Sequence, residues 1–510
     1  MFLQLLSTCL TLVFVSILLV YWRVVRPGKR IYDILQNQGI PAEPFVPFVG
    51  QLSRLARYRK ENRIMRFYEE LSDKHGLNFL FLLGPFPRLV IQDGELIACV
   101  LSRTHEHLYQ KPMDLNFRLK PLIGSHNLLI SNGNEHKRAR KMLNPGFCFE
   151  NLRSMVSIMT NETSKTIELL LHESSSDKPI NLQKEMSLLT LTIIASSAFG
   201  ENYQTIDNAR KVVCEAFIAA LDAIVSRTLS LIDQIPFFSR LPFWGKDIVD
   251  RGQERASIFV EQIINNRRQG RTRNRCEHKD MLDLLLHVVD SNGEHFTDDE
   301  IKEQAMALVL AGHQSTSDLM TWTLYILMTH PSVLRDCQEE IDRVLPNGTI
   351  PTYEQLADLH VCESVIQETL RLYPTLPFFV RQCTEEHMIE TEHYRLCIPR
   401  NTTILINTYL VHRQEKYWKN PLEFDYKRWM RDPVTGLKPK LAHPFCYLPF
   451  AAGSRNCIGQ NFALLEAKVI LAMFVQRCQF ELQPKNQEIV ADIRITMRPK
   501  FGLFSRISRR

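Results

Sequence analysis

No Cys-x-x-Cys pair occurs in the 510 residues, although there are twelve cysteines. They are scattered singly, which argues against a disulfide framework and fits reduced thiols facing the cytosol. Charge of one sign is also missing: 62 basic residues stand against 56 acidic ones, a net +6 too balanced to suggest nucleic acid as a partner. There is no internal repeat and no low-complexity tract. A Gly-rich dinucleotide or flavin fingerprint is absent too, so the chain brings no such electron carrier of its own. What remains is a chain that is 45% hydrophobic, enough for a large core in one big domain or two lobes.

Charge disappears altogether from Phe2 to Trp22. About twenty apolar residues span a bilayer core of roughly 30 Å. Arg23, Arg26, Lys29 and Arg30 follow at once, which places the main body on the cytosolic side. The start has neither the basic n-region nor the small-residue cleavage site of a signal peptide. The expected division is therefore an anchor over 1–22, a basic and Pro-rich hinge over 23–50 containing Pro41, Pro44, Pro47 and Gly50, and a body over 51–510.

Within the body, Phe79–Gly84 and Arg88–Gln92 read as two short strands around a Gly-Pro turn. From about residue 95 most segments have helical periodicity. Thr297-Asp-Asp-Glu300 is a capping box, and the helix it opens should run to about Thr329. Small residues in its middle, Ala311-Gly312-His313-Gln314-Ser315-Thr316, would let a bulky ligand approach the backbone. The apolar stretch 235–244 reads as a packed loop or a second membrane contact. The basic run from Arg267 to Arg275 reads as a solvated loop, with an anionic-lipid contact as the alternative.

One decapeptide carries more chemistry than the rest of the chain. Residues 450 to 459 read Phe450-Ala-Ala-Gly453-Ser-Arg455-Asn-Cys457-Ile-Gly459. Cys457 can offer a thiolate to iron, while Gly453 and Gly459 let the backbone approach a flat macrocycle and turn amides toward the sulfur. Arg455 can pair with a haem propionate and Phe450 can pack on the ring. A thiolate ligand pushes electron density onto iron and favours O–O cleavage. Cys446 lies nearby but lacks glycines and an arginine at that spacing.

Glu368 and Arg371 sit at i and i+3 among apolar residues, before Pro374 and Pro377. A buried pair needs further partners, and Arg428 in Phe424-Asp-Tyr-Lys-Arg428-Trp429 is a candidate. Arg140 and Arg381 are further candidates for a propionate.

In this order the elements resemble the cytochrome P450 haem-thiolate monooxygenases over almost the whole chain. They comprise the basic helix before Asn144-Pro145, the small-residue helix, Glu368 and Arg371 with Arg428, and the Cys457 loop. The run Asn456-Cys-Ile-Gly-Gln460-Asn-Phe-Ala463, with Lys141–Phe147 and His412-Arg, looks like the animal microsomal fatty-acid ω-hydroxylase branch.

The resemblance implies a mainly α fold with a small β-rich lobe and a transmembrane helix, so that 51–510 is a haem-thiolate catalytic domain. It further implies a monooxygenase of the endoplasmic reticulum that hydroxylates a lipid-like substrate. Haem b would be bound by Cys457, with Arg140, Arg381, Arg455 and His136 on its propionates. Electrons would come from NADPH-cytochrome P450 reductase, with cytochrome b5 as a second donor. Glu368, Arg371 and Arg428 would be structural. Ala307, Leu308, Ala311, Leu376, Phe378, Phe379 and Val380 would line the substrate pocket, with parts of 114–130.

Three departures from the family pattern stand out. Gln314 and Ser315 replace an acid and a threonine thought to bring protons to dioxygen, and glutamine cannot exchange its charge state. That pair leaves open a reductase-independent isomerase or lyase acting on lipid peroxides, and a non-catalytic haem-binding role is a third reading. His136 stands where tryptophan is usual. Ala311 stands where many ω-hydroxylases carry a glutamate esterified to haem, so no covalent link is expected.

Overall fold

In the computed structural model, residues 2–173, 178–200, 215, 218–224, 245–271, 280–487 and 489–510 are described. The segment 235–244 and the two arginines Arg273 and Arg275 of the basic run lie outside them. The expected mainly helical fold with small sheets is observed. The chain divides into two compact units. One takes the described residues up to Pro112 together with Phe378–Val411, and the other takes the rest.

The smaller unit is built on a five-stranded mixed sheet. Asn78–Leu83 and Phe86–Ile91 form the expected hairpin. Thr403–Ile406 then pairs parallel to Phe86–Ile91, and Phe379–Cys383 and Tyr109–Gln110 complete the order. Ahead of the sheet, helix Phe2–Val20 continues through a wider turn at Tyr21–Val25 into helix Arg26–Asn37. The run Gln4–Asn37 is long and apolar enough to cross a bilayer, and its most apolar stretch is not buried. Nineteen residues at 1.5 Å each span roughly 30 Å.

The Pro-rich stretch after it is bonded to the sheet. Leu80 N–H donates to Pro41 O at 2.8 Å, and Glu43 and Gln51 donate to the carbonyls of Leu80 and Leu82, both at 2.9 Å. Those bonds satisfy an edge strand that would otherwise expose its amides. Gly50 has a positive φ of 52°, and a Cβ there would lie 2.5 Å from Gly84 O, so only glycine lets the two backbones meet.

The larger unit is organised by one helix, Asp298–Thr329. Both halves of the Thr297–Glu300 capping box are formed. This helix packs against Leu182–Phe199, His360–Leu372 and Gln460–Arg477, and its middle is buried nearly all round. The exceptions are Leu308, Ala311, Gly312 and Ser315, an i, i+3, i+4, i+7 stripe that makes a single face. At Gly312 a Cβ would come 3.0 Å from Ile194, so protein packs tightly there and the missing side chain serves helix–helix contact.

The basic run begins as helix, not as solvated loop. Arg267 lies in the last turn of helix Lys246–Arg268, has a largely buried side chain, and pairs with Asp280 and Asp283 at 2.6 Å each. Arg268 pairs with Asp298 at 2.6 Å. Cations in a last helical turn suit the helix dipole, and the acids were too far along the chain to be assigned to them from sequence.

Thr297→Ala should remove the cap at a cost of about 1 kcal/mol. Faster amide exchange over Asp298–Ile301, with the middle of the helix unchanged, is the expected result.

Candidate active site

The Cys457 loop is a tight turn leading into a helix. Gly453–Arg455 form a single 3-10 turn, Cys457 N–H donates to Phe450 O at 2.9 Å, and helix Gln460–Arg477 begins just beyond Gly459. Gly453 has φ 75°, a conformation that glycine adopts without strain. Gly459 has an ordinary φ of −89°, and a Cβ there would only touch Phe147 at 3.7 Å. Its contribution is its N–H, which points at the Cys457 sulfur. The side chain of Cys457 is exposed, yet the protein packed around the sulfur pushes its thiol up. The Gly459 N–H and the Arg140 guanidinium pull the other way. The positive end of a helix dipole adds to that pull.

Two arginines clip this loop to helix Gly133–Leu143. Arg140 donates to Asn456 O at 2.6 Å, to Asn456 Oδ1 at 2.9 Å and to Asn144 Oδ1 at 3.0 Å. Arg455 donates back to Ser131 O at 2.6 Å and Asn132 Oδ1 at 2.9 Å. Ser131 Oγ is buried beside them with no partner among the described residues. Two guanidinium groups bracketing the loop, an unpartnered buried hydroxyl beside Arg455 and an exposed thiol fit a macrocycle held by the cysteine sulfur and by its own carboxylates. His136 is buried in the same helix.

Behind the loop lies a buried ion-pair network. Arg371 Nε and Nη2 grip both oxygens of Glu368 at 2.9 and 2.8 Å, and both side chains are fully buried. Arg428 Nε, Trp429 Nε1 and Asp425 N–H also donate to Glu368, at 3.3, 2.8 and 3.0 Å. The rest of Arg371 is used on the carbonyls of His412, Pro421 and Glu423. His412 carries the network forward. Its Nδ1 lies 3.2 Å from Arg371 O, and its Nε2 accepts from Leu448 N–H at 2.8 Å, on the segment that leads into the Cys457 loop. Burial and two neighbouring arginines push His412 down to about 3, so it stays neutral and can accept.

The long helix Asp298–Thr329 presents Ser315 on its exposed face, where Ser315 Oγ donates to Ala311 O at 2.8 Å. Leu308 and Ala311 share that face. Ala307 is buried on another. Gln314 is buried as well, and its amide donates to Asp318 Oδ2 at 3.1 Å. Arg381, Phe378, Phe379 and Val380 belong to the smaller unit. Arg381 is buried there, donating to Val380 O at 2.9 Å and stacking on Phe379. Leu376, in the larger unit, is exposed. In the stretch 114–130, the side chains of 114–117 lie outside the described residues.

A model of the cytochrome P450 family matches residues 40–505. The chain is a cytochrome P450. Membership brings a haem held by a cysteine thiolate, and monooxygenase chemistry. The chain is 28% identical over 485 residues to mouse (Mus musculus) cytochrome P450 3A41, which covers 92% of this chain and 91% of the relative. It is 29% identical over 485 residues to human (Homo sapiens) cytochrome P450 4V2, covering 91% and 88%. Human cytochrome P450 3A5 is 28% identical over 470 residues, covering 89% and 88%.

Sequence reasoning missed His412 as a link, Asn456 as the acceptor for Arg140, and two buried acids, Asp318 and Glu466. Glu466 lies nine positions after Cys457, fully buried and facing Thr316 of the long helix, and burial pushes its carboxyl well up. A lone acid in the apolar run Ala463–Val475 was a readable signal.

Removing one partner of a buried ion pair typically costs about 3–5 kcal/mol. Arg371→Ala should therefore lose about that much stability in chemical unfolding. Arg428→Ala should lose less, since Arg428 is 14% exposed and Glu368 keeps Arg371 and Trp429.

Proposed function

We propose that this cytochrome P450 hydroxylates a lipid-like hydrophobic substrate with dioxygen, on the cytosolic face of the endoplasmic reticulum. Electrons come from NADPH-cytochrome P450 reductase, with cytochrome b5 as a second donor. The observation that carries this reading is the exposed Cys457 thiol, set between the Gly459 N–H and Arg140 at the start of a helix. The apolar run Gln4–Asn37 supports the membrane assignment.

When bound, the haem supplies the activation of dioxygen, aided by electron push from the thiolate. We assign haem b, non-covalent apart from the sulfur, because Ala311 offers no carboxylate to esterify. Arg140 and Arg455, with His136, would hold its propionates, and Arg381 of the smaller unit is a further candidate. Phe450 would pack against the ring. Leu308 and Ala311 would give the substrate an apolar wall that selects by shape, with Ala307 buried on another face of the same helix. Ser315 keeps its proton on Ala311 O, so its lone pairs accept from a nearby water. Rotation of the hydroxyl then lets it donate instead. The ω-hydroxylase-like motifs around Cys457 favour a fatty acid.

A second reading, the isomerase or lyase, is favoured by one feature: Gln314 is bonded to Asp318, so Ser315 has no acid as its immediate partner in the chain.

Turnover of medium- and long-chain fatty acids under isotopically labelled dioxygen separates the two. The first reading expects a hydroxylated product carrying one labelled oxygen, formed only with NADPH and reductase. Conversion of lipid hydroperoxides without reductase, with no label in the product, would overturn it. Cys457→Ser should abolish product in either case, measured as loss of at least about 10³-fold in turnover, since the metal loses its electron-donating ligand.

A further inference from the structure

Gln314 has no charge to exchange, but a carboxyl lies one helical turn away. Asp318 is fully buried, and its Oδ2 accepts from Gln314 Nε2 at 3.1 Å. Asp318 Oδ1 and Gln314 Oε1 are both buried without a partner of good geometry among the described residues. Buried carboxylates are usually paired with a cation. Here the nearby arginine is used elsewhere: Arg498 Nη2 donates to both oxygens of Asp222, at 3.0 and 3.2 Å, and reaches Asp318 through its field alone.

Arg498 belongs to the hairpin of Ala491–Ile493 and Met497–Pro499, which packs on the long helix through Trp322 Nε1 and Met497 O at 2.9 Å. The hairpin also brings the Thr496 hydroxyl to Asp318. Arg494 pairs with Asp222 at 2.8 Å and with Asp492 at 2.7 Å. Polar groups thus run from the buried Asp318 to Asp222 and Arg494, which are 29% and 23% exposed. His313 on this helix, and Glu466, Glu368, Arg371 and Cys362 on the helices packed against it, are also buried and titratable, and none of them is a cause of the shift at Asp318.

We propose that Asp318 is a positioning residue for the long helix: its protonation state sets whether the Gln314 amide leaves its carbonyl or its NH2 end unengaged. This rests on the monooxygenase reading above and names a control within the same site. With Asp318 ionised, Gln314 Nε2 donates to it and the carbonyl is left as an acceptor. With a proton from water on Asp318, its O–H donates to Gln314 Oε1, the amide turns over, and the NH2 end becomes available. The change needs no redox partner, and Gln314 is the neighbour of Ser315 in the chain.

Burial raises the Asp318 carboxyl from an ordinary 3.8 to about 6, against the pull of Thr496, Gln314 and Arg498. The folded state therefore holds this proton more tightly than the unfolded chain. Ionised Asp318 weakens the fold above about 6, and that penalty fades as pH falls through 6 toward 3.8.

The test uses ferric, full-length holoenzyme at about pH 5 and about pH 7.5, between which the ionised fraction of such a group changes about tenfold. Infrared difference spectra should contain a buried carboxylic-acid stretch that grows as pH falls and is absent from Asp318→Asn. The unfolding midpoint of Asp318→Asn should exceed that of the native chain at the higher pH and converge with it near pH 4. In turnover, the ratio of product to peroxide should change severalfold between the two pH values in the native chain and be flat in Asp318→Asn. It should also be flat in Gln314→Ala, which keeps the infrared band. A band that survives in Asp318→Asn, or a pH profile that survives in Gln314→Ala, overturns the proposal. The infrared and unfolding readouts need no turnover, so failure of the lipid or reductase assignment would be seen separately.

Discussion

The catalytic loop depends on one buried carboxylate. Glu368 is fully buried, and it is tolerated there because five donor contacts meet it: two from Arg371 and one each from Arg428, Trp429 and the Asp425 backbone. Leaving such a charge unpaired costs several kcal/mol, so the segments supplying the donors are forced together. Arg371 then gathers three backbone carbonyls, and through His412 the same cluster holds the amide of Leu448. The position of the sulfur is thus set from behind by charge and from the side by Arg140 and Arg455.

The long helix is the second constraint, and it is asymmetric. Nearly all of its middle is committed to protein contacts, which leaves one narrow face carrying Leu308, Ala311, Gly312 and Ser315. Gln314, adjacent in sequence to Ser315, turns inward by roughly 100° of helix rotation and finds Asp318 instead. An acid at 314 in this environment would be deeply desolvated. A glutamine there and an acid one turn on give a different arrangement of the same ingredients.

Features set by local spacing were legible in the chain. The capping box at Thr297, the hairpin after Phe79, the Glu368 and Arg371 spacing and the turn before Cys457 each depend on residues a few positions apart. What could not be read depends on distant partners. The parallel pairing of Thr403–Ile406 with Phe86–Ile91 joins segments more than three hundred positions apart. Arg267 looked like part of a solvated run because its acids, Asp280 and Asp283, lie beyond a loop. Arg140 and Arg455 were read as ligands of a cofactor alone. Their bonds to Asn456 and Ser131 show a bracing contact as well, which side-chain identity does not reveal.

Through His412 and Leu448, the Glu368 network holds the Cys457 loop in the shape that we propose lets the sulfur ligate iron. The most direct test is the absorbance spectrum of reduced, carbon-monoxide-bound protein, for the native chain and for Glu368→Gln with matched helix content. A thiolate-type Soret band is expected in the native protein, with partial or complete conversion to the neutral-thiol type in the variant. An undiminished thiolate band in Glu368→Gln would contradict it.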